Sequence, residues 1–209
     1  MTISFGLVLL AALAYGLLHS LLASQKTKTS VSHRFGPHSD RWYRLAYNFI
    51  AIITLLPILF LPIVLPDKEI YAIQYPWLYL TVFVQLMAIV VLVIGLRQTG
   101  IFSFLGLRQL LRTVDDTPTH LVKEGLYRYV RHPLYTAGLV LIWLIPYLTW
   151  NLLALILGLT VYIVIGAHYE ERKLGREFGE AYAEYRRQTP MFVPGAKLLQ
   201  FNPKPKSVN

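Results

Sequence analysis

The stretch Tyr127-Arg128-Tyr129-Val130-Arg131-His132-Pro133-Leu134-Tyr135 decides how the rest of the chain is read. It opens an apolar run over 134–149. A second apolar run, 152–167, follows Trp150-Asn151 and leads to Glu170-Glu171. Two helices joined by so tight a turn run antiparallel. With that turn as a mirror point, His132 pairs in depth with Glu171 and Pro133 with Glu170. A Tyr/Arg/His cluster and a pair of carboxylates then meet at one membrane face, and a pocket is expected between them.

The composition sets the class. Of 209 residues, 55% are hydrophobic and 15% charged, with a mean hydropathy of +0.48. Soluble domains carry about 25% charged residues. With the apolar residues blocked into long runs, the expectation is an all-α integral membrane protein. Five transmembrane helices are predicted, at about 3–23, 45–65, 77–96, 133–149 and 152–169, in a single membrane domain over 1–209. Residues 3–23 lack the basic start of a signal peptide and read as a retained span. Pro57 and Pro62 are expected to bend the second span. The chain has no cysteine, which excludes disulfides, thiolate metal sites and cysteine nucleophiles. The six histidines show no metal-ligand spacing, and no P-loop, dinucleotide fingerprint or Ser-His-Asp pattern is visible.

Charge orients the chain. Five spans place the stretches 24–44 and 97–131 and the tail on one side. Those three hold 19 of the 20 Lys and Arg, Lys68 being the exception. The positive-inside rule then puts the N-terminus outside and the C-terminus in the cytosol. The net charge of +9 is thus read as topological signalling, and nucleic-acid binding is not expected. Residues 101–111 read as an interfacial or re-entrant helix and 115–118 as a turn. Leu174, Phe178, Tyr182 and Tyr185 recur at helical spacing, which predicts one amphipathic C-terminal helix, ended by Pro190, Pro194 and Gly195. Residues from 202 are expected to be mobile.

Polar side chains inside a bilayer are costly, so their depth is informative. His19, Asn48, Gln98, His132, Tyr135, His168, Glu170 and Glu171 all fall at the cytosolic level. Gln85 alone is mid-membrane and reads as an interhelical hydrogen bond. Pro133 suits a first helical turn, whose free N–H groups, with Arg and Tyr donors nearby, favour a carboxylate or a phosphate. Two adjacent acids near a helix C-terminus want cationic partners. Arg131 or Arg128 within the protein would serve, and so would a ligand ammonium. S-adenosylmethionine carries a carboxylate, an ammonium and a sulfonium, and its sulfonium can lie against tyrosine faces. A plain capping or packing role for His132 stays open.

At these residues the sequence resembles the isoprenylcysteine carboxyl methyltransferase and phospholipid methyltransferase superfamily of integral membrane methyltransferases. The resemblance rests on Arg131-His132-Pro133-Leu134-Tyr135-Thr136-Ala137-Gly138, Glu170-Glu171-Arg172-Lys173-Leu174, Phe178-Gly179-Glu180-Ala181-Tyr182-Ala183-Glu184-Tyr185 and Pro190. It covers about 125–194. A weaker likeness, to NnrU-like and methanethiol S-methyltransferase-like branches, lies in His19-Ser20-Leu21-Leu22-Ala23-Ser24, Tyr43-Arg44-Leu45-Ala46-Tyr47-Asn48 and Phe104-Leu105-Gly106-Leu107-Arg108-Gln109.

The resemblance implies S-adenosylmethionine-dependent methyl transfer at the cytosolic leaflet, to a small thiol or a lipophilic, isoprenylcysteine-like acceptor. It assigns the cofactor to Tyr129, His132, Tyr135, Gly138, Glu170, Glu171, Tyr182 and Tyr185. Glu170 and Arg176 become the catalytic candidates, with Arg176 orienting an anionic acceptor. His19 and Asn48 are expected to line the acceptor side. Membrane sterol reductases, which use a nicotinamide cofactor, share a related Arg-His-Pro-x-Tyr hairpin and form the competing enzyme reading. A non-catalytic protein of the same fold is the third.

Overall fold

A computed structural model describes residues 2–36, 39–99 and 121–195. Four of its helices are long and apolar enough to cross a membrane. They are α1 (Thr2–Ala23), Trp42–Val64 within α3 (Ser39–Val64), α4 (Trp77–Thr99) and α6 (Trp150–Phe178). Between α1 and α3 runs α2 (Gln25–Phe35), where a basic loop was expected. Ser24 explains it: its side chain accepts the Thr27 N–H and caps the helix. The predicted elements at 101–111 and 115–118 and the chain from 202 lie outside the described residues, as does the 104–109 motif.

The fourth expected span is the main correction. Helix α5 covers only Pro133–Trp143, not 133–149. Pro146 lacks an N–H and pushes Ile145 out of the helical region, so the chain leaves α5 extended. It then forms β2 (Tyr147–Thr149), antiparallel to β1 (Glu69–Ala72), which was read as a short loop. The hairpin connection is therefore the stretch 144–149, not Trp150-Asn151. Trp150 already begins α6, with Thr149 as its cap: the Thr149 hydroxyl accepts the Leu152 N–H at 3.3 Å.

This ribbon closes the end of the bundle away from His132. Asp67 accepts the Asn151 N–H at 3.1 Å, placing a carboxylate at the positive end of α6. The Asn151 side chain is fully buried and donates to the Leu65 and Pro66 carbonyls.

Small residues set the helix contacts. The core joins Val8 and Ala12 of α1 to Ala154 and Leu155 of α6. A Cβ on Gly158 would stand 2.5 Å from the Ala12 Cβ, so only glycine permits that approach. On the other side α4 packs on α5, where a Cβ on Gly95 would stand 2.7 Å from Leu134. Gln85 donates to the Leu141 carbonyl at 3.2 Å, the interhelical bond its depth predicted.

Helix α6 runs on past the apolar stretch to Phe178, so Glu170 and Glu171 sit within it, not at its C-terminal end. The predicted single amphipathic helix is broken. Gly179, at φ +51°, ends α6 and starts α7 (Glu180–Gln188). That conformation is open to glycine and costly for other residues. The break turns Tyr182 and Tyr185 back against the bundle, where both are buried.

Candidate active site

The pairing predicted from the mirror point is present. Arg131 donates through Nε to Glu171 Oε1 at 2.7 Å, and its Nη2 lies 2.5 Å from the same oxygen. His132 Nε2 stands 3.3 Å from that oxygen. His132 Nδ1 is 3.8 Å from Glu170 Oε2, so the imidazole sits between the two carboxylates. Tyr135 donates its hydroxyl to Glu170 Oε2 at 2.9 Å and stacks on His132 with ring centroids 5.4 Å apart. Arg131, His132 and Glu171 are buried, whereas the Glu170 side chain is 45% exposed.

Arg131 does more than pair with Glu171. Its Nη1 donates to the carbonyls of Arg186 and Thr189 at 3.2 and 2.6 Å, satisfying the last turn of α7. The Arg131 and His132 N–H groups donate to the carbonyls of Pro190 and Met191. The Thr136 hydroxyl lies 2.9 Å from the Phe192 carbonyl. The segment 189–192 thus straps the start of α5, and the His132 and Phe192 rings lie 5.8 Å apart.

Between α6 and α7 opens a cleft of about 780 Å³, lined by His168, Glu171, Arg172, Gly175, Gly179, Tyr182, Ala183, Arg186 and Arg187. That volume is in the range of small-molecule sites, about 300–1,000 Å³. The cleft mixes one carboxylate with three guanidinium groups. Glu171 Oε1 is taken by Arg131 and His132. Glu171 Oε2 has Arg186 Nε at 3.9 Å, too far for a hydrogen bond. The buried Tyr182 hydroxyl makes no hydrogen bond among the described residues. Burial and the nearby Glu171 charge push its pKa up to about 12. Tyr185, edge-on to Tyr182 on α7, donates to the Tyr127 carbonyl at 2.6 Å. Burial raises its pKa as well. Tyr127 is pushed up to about 12 by burial and by the charge of Glu170.

A second polar group joins α1, α3 and α6. His19 of α1 hydrogen-bonds the hydroxyls of Tyr47 of α3 and Tyr162 of α6. Tyr15 packs edge-on against Tyr162, with centroids 5.8 Å apart. Gly16 leaves room for the Tyr162 ring, since a Cβ there would stand 3.2 Å from it. Asn48 is half-buried on α3, next to Tyr47.

The other candidates fall differently. Among the described residues, nothing lies within 4 Å of a Cβ built on Gly138, so it packs against none of the described helices there. Tyr129 is 63% exposed, apart from the His132–Tyr135 stack. Arg176 is exposed on α6 and does not line the cleft. The sequence reading gave no site role to Arg186, Arg187 or Tyr162. The two arginines follow Tyr185 on α7, a signal only once α7 is known to fold back. Tyr162 carried a signal that could have been used, a tyrosine in the middle of an apolar run.

A family model described as "Protein of unknown function (DUF1295)" matches residues 9–189. Among curated proteins, a Methanethiol S-methyltransferase from Crocosphaera subtropica is 36% identical over 96 residues, covering 44% of this chain and 38% of the relative. Methanethiol S-methyltransferase 2 from Bradyrhizobium diazoefficiens is 38% identical over 96 residues, 44% of this chain and 37% of the relative. The matched part thus spans less than two fifths of those two relatives. A Methanethiol S-methyltransferase from a Pseudomonas strain is 30% identical over 198 residues, covering 88% of this chain and 74% of the relative. No solved structure matches.

Proposed function

The chain belongs to the DUF1295 family and to the superfamily of membrane methyltransferases, and we propose from that premise that it is an S-adenosylmethionine-dependent methyltransferase acting on a small thiol. Its site faces the cytosolic leaflet, and a lipophilic, isoprenylcysteine-like acceptor is the other member of the same substrate class. The observation that carries the reading is Glu171, whose two carboxylate oxygens have different surroundings. Oε1 is fixed by Arg131 and His132, while Oε2 is held loosely, by an ion pair to Arg186 at 3.9 Å that a ligand ammonium would replace.

The cleft fits the cofactor's charges. Glu171 Oε2 takes the ammonium, and Arg172 and Arg186 take the carboxylate, Arg187 being already paired with Glu180 and Glu184. The unpartnered Tyr182 hydroxyl is a donor for a ligand oxygen or nitrogen. Bound there, S-adenosylmethionine supplies a methyl group on a sulfonium. Glu170 and Tyr135 face the other side of His132, which we assign to the acceptor. His132 lies between the two half-sites, held by both carboxylates, and orients them. Arg131 fixes Glu171 and the strap together, so the geometry is set before any ligand arrives, and placement supplies much of the rate.

The names of the relatives, methanethiol S-methyltransferases, support the thiol acceptor. The test is calorimetric titration of the purified protein with S-adenosylmethionine, followed by methyl-labelled donor with small thiols, an isoprenylated cysteine and phospholipids. Binding together with label on thiols is the expected result. Absence of binding removes the reading, and label on phospholipids alone would replace the acceptor.

A further inference from the structure

We propose that α2 is a membrane-surface helix that binds anionic lipid headgroups through Lys26, Lys28 and Arg34. This surface is separate from the cleft between α6 and α7 and does not depend on the reaction performed there.

Ser24 separates α2 from α1. Its extended backbone, at φ −68° and ψ 145°, interrupts the helical run between them. Contacts then hold both ends of α2 against one turn of α3. Tyr43 donates to the carbonyl of Leu22, in the last turn of α1, at 2.6 Å. Trp42 lies edge-on to Phe35, the last residue of α2, with ring centroids 6.5 Å apart. Trp42 is also where the apolar part of α3 begins. Both ends of α2 are thus held at the level where the bilayer starts. Phe35 and Trp42 are 64% and 43% exposed there, as aromatic rings are at the boundary between headgroups and acyl chains.

Little inside the protein accounts for a helix at this place. None of the residues of α2 is buried. Isolated helices shorter than about 12 residues are marginal in water, and Thr27, Thr29, Ser30, Val31 and Ser32 are weak helix formers. The helix carries no Asp or Glu, and Lys26 and Lys28 stand at its positive end, where the dipole disfavours cations. Lys26, Lys28 and Arg34 are exposed, and among the described residues none of the three meets a carboxylate. An anionic surface relieves these costs together: it neutralises the cations, favours the positive helix end and covers a helix that the described elements leave exposed. Topological signalling needs only the number of cations in the stretch, which an unstructured loop would supply equally well. Headgroup phosphates are the anions found at this level of a bilayer.

The test is hydrogen exchange of the α2 amides in the full chain, held in nanodiscs of phosphatidylcholine alone or mixed with phosphatidylglycerol. One Lys or Arg near an anionic surface changes association by about five-fold. Exchange over 25–35 should therefore slow at least about five-fold in the anionic discs, with the α6 amides unchanged. The slowing should vanish at about 1 M salt, where charges are screened beyond about 3 Å. It should also vanish when Lys26→Gln, Lys28→Gln and Arg34→Gln are combined. Should that variant fail to insert, the dependence of the parent protein on lipid and salt carries the test alone. Equal exchange in the two kinds of disc overturns the binding. Equal slowing by inorganic phosphate in phosphatidylcholine discs overturns the lipid and assigns a free anion instead. Slowing that survives in the triple variant overturns the role of these three cations.

Discussion

Arg131 and Glu171, forty positions apart, meet in a buried ion pair whose guanidinium also holds the end of α7. A lysine has one compact charge and cannot reach a carboxylate and two carbonyls together. Arg131→Lys should therefore lower stability by about 1.5–3 kcal/mol, the scale of hydrogen bonds to charged groups. Glu171→Ala leaves Arg131 buried without its counter-charge and should cost about 3–5 kcal/mol. Thermal unfolding in detergent checks both. Equal stability of the parent and Glu171→Ala would mean that the pair does not hold the site.

Two glycine replacements should separate packing from ligand space. Gly158→Ala drives a Cβ against Ala12 and should destabilise by about 1–3 kcal/mol. Gly138→Ala meets nothing among the described residues and should add about 0.5–1 kcal/mol of helix stability. If a ligand occupies the space beside Gly138, the same change should weaken binding at least several-fold. Calorimetry reads the second effect and unfolding the first.

Gln85→Leu removes one hydrogen bond to the Leu141 carbonyl. Such bonds between helices in membranes average about 0.6 kcal/mol, so the variant should unfold within a few degrees of the parent. A loss several times larger would mean that Gln85 supports more than this contact.

Alkaline pH should loosen α7 on the bundle. Tyr127 and Tyr182 ordinarily titrate near 10 and are held up to about 12, chiefly by burial. A raised phenol pKa favours the protonated folded state. Its contribution is complete below pH 10, declines as pH rises toward 12, and is lost above it. Tyrosinate absorbance should therefore rise together with unfolding inside that window. Early titration of the two phenols at 10, without unfolding, would show them to be solvent-exposed.

Much of this was legible in the sequence. Apolar run lengths located the four long helices, and His132 meets Glu171 as read although the turn lies at 144–149, because the extended stretch there spans the depth that α5 leaves uncovered. The fourth span misread Pro146 as part of a helix, since hydropathy does not register a missing N–H. The ribbon of β1 and β2 depends on two strands seventy-odd positions apart and leaves no local signal. Gly179 interrupts a pattern whose spacing alone reads as one helix, so α7 and its arginines could not be placed at the cleft. The double role of Arg131 is tertiary, because its carbonyl partners come from the turn α7 makes at the end of the chain.

The strap has a consequence for biosynthesis. The carbonyls that fix Arg131, His132 and Thr136 come from residues 189–192, whereas the groups they fix are made some fifty to sixty residues earlier. A nascent chain can insert its apolar helices and still wait for the pocket floor until that last segment leaves the ribosome. A truncation before Thr189 should therefore reach the membrane in full amount and arrive unable to hold a donor.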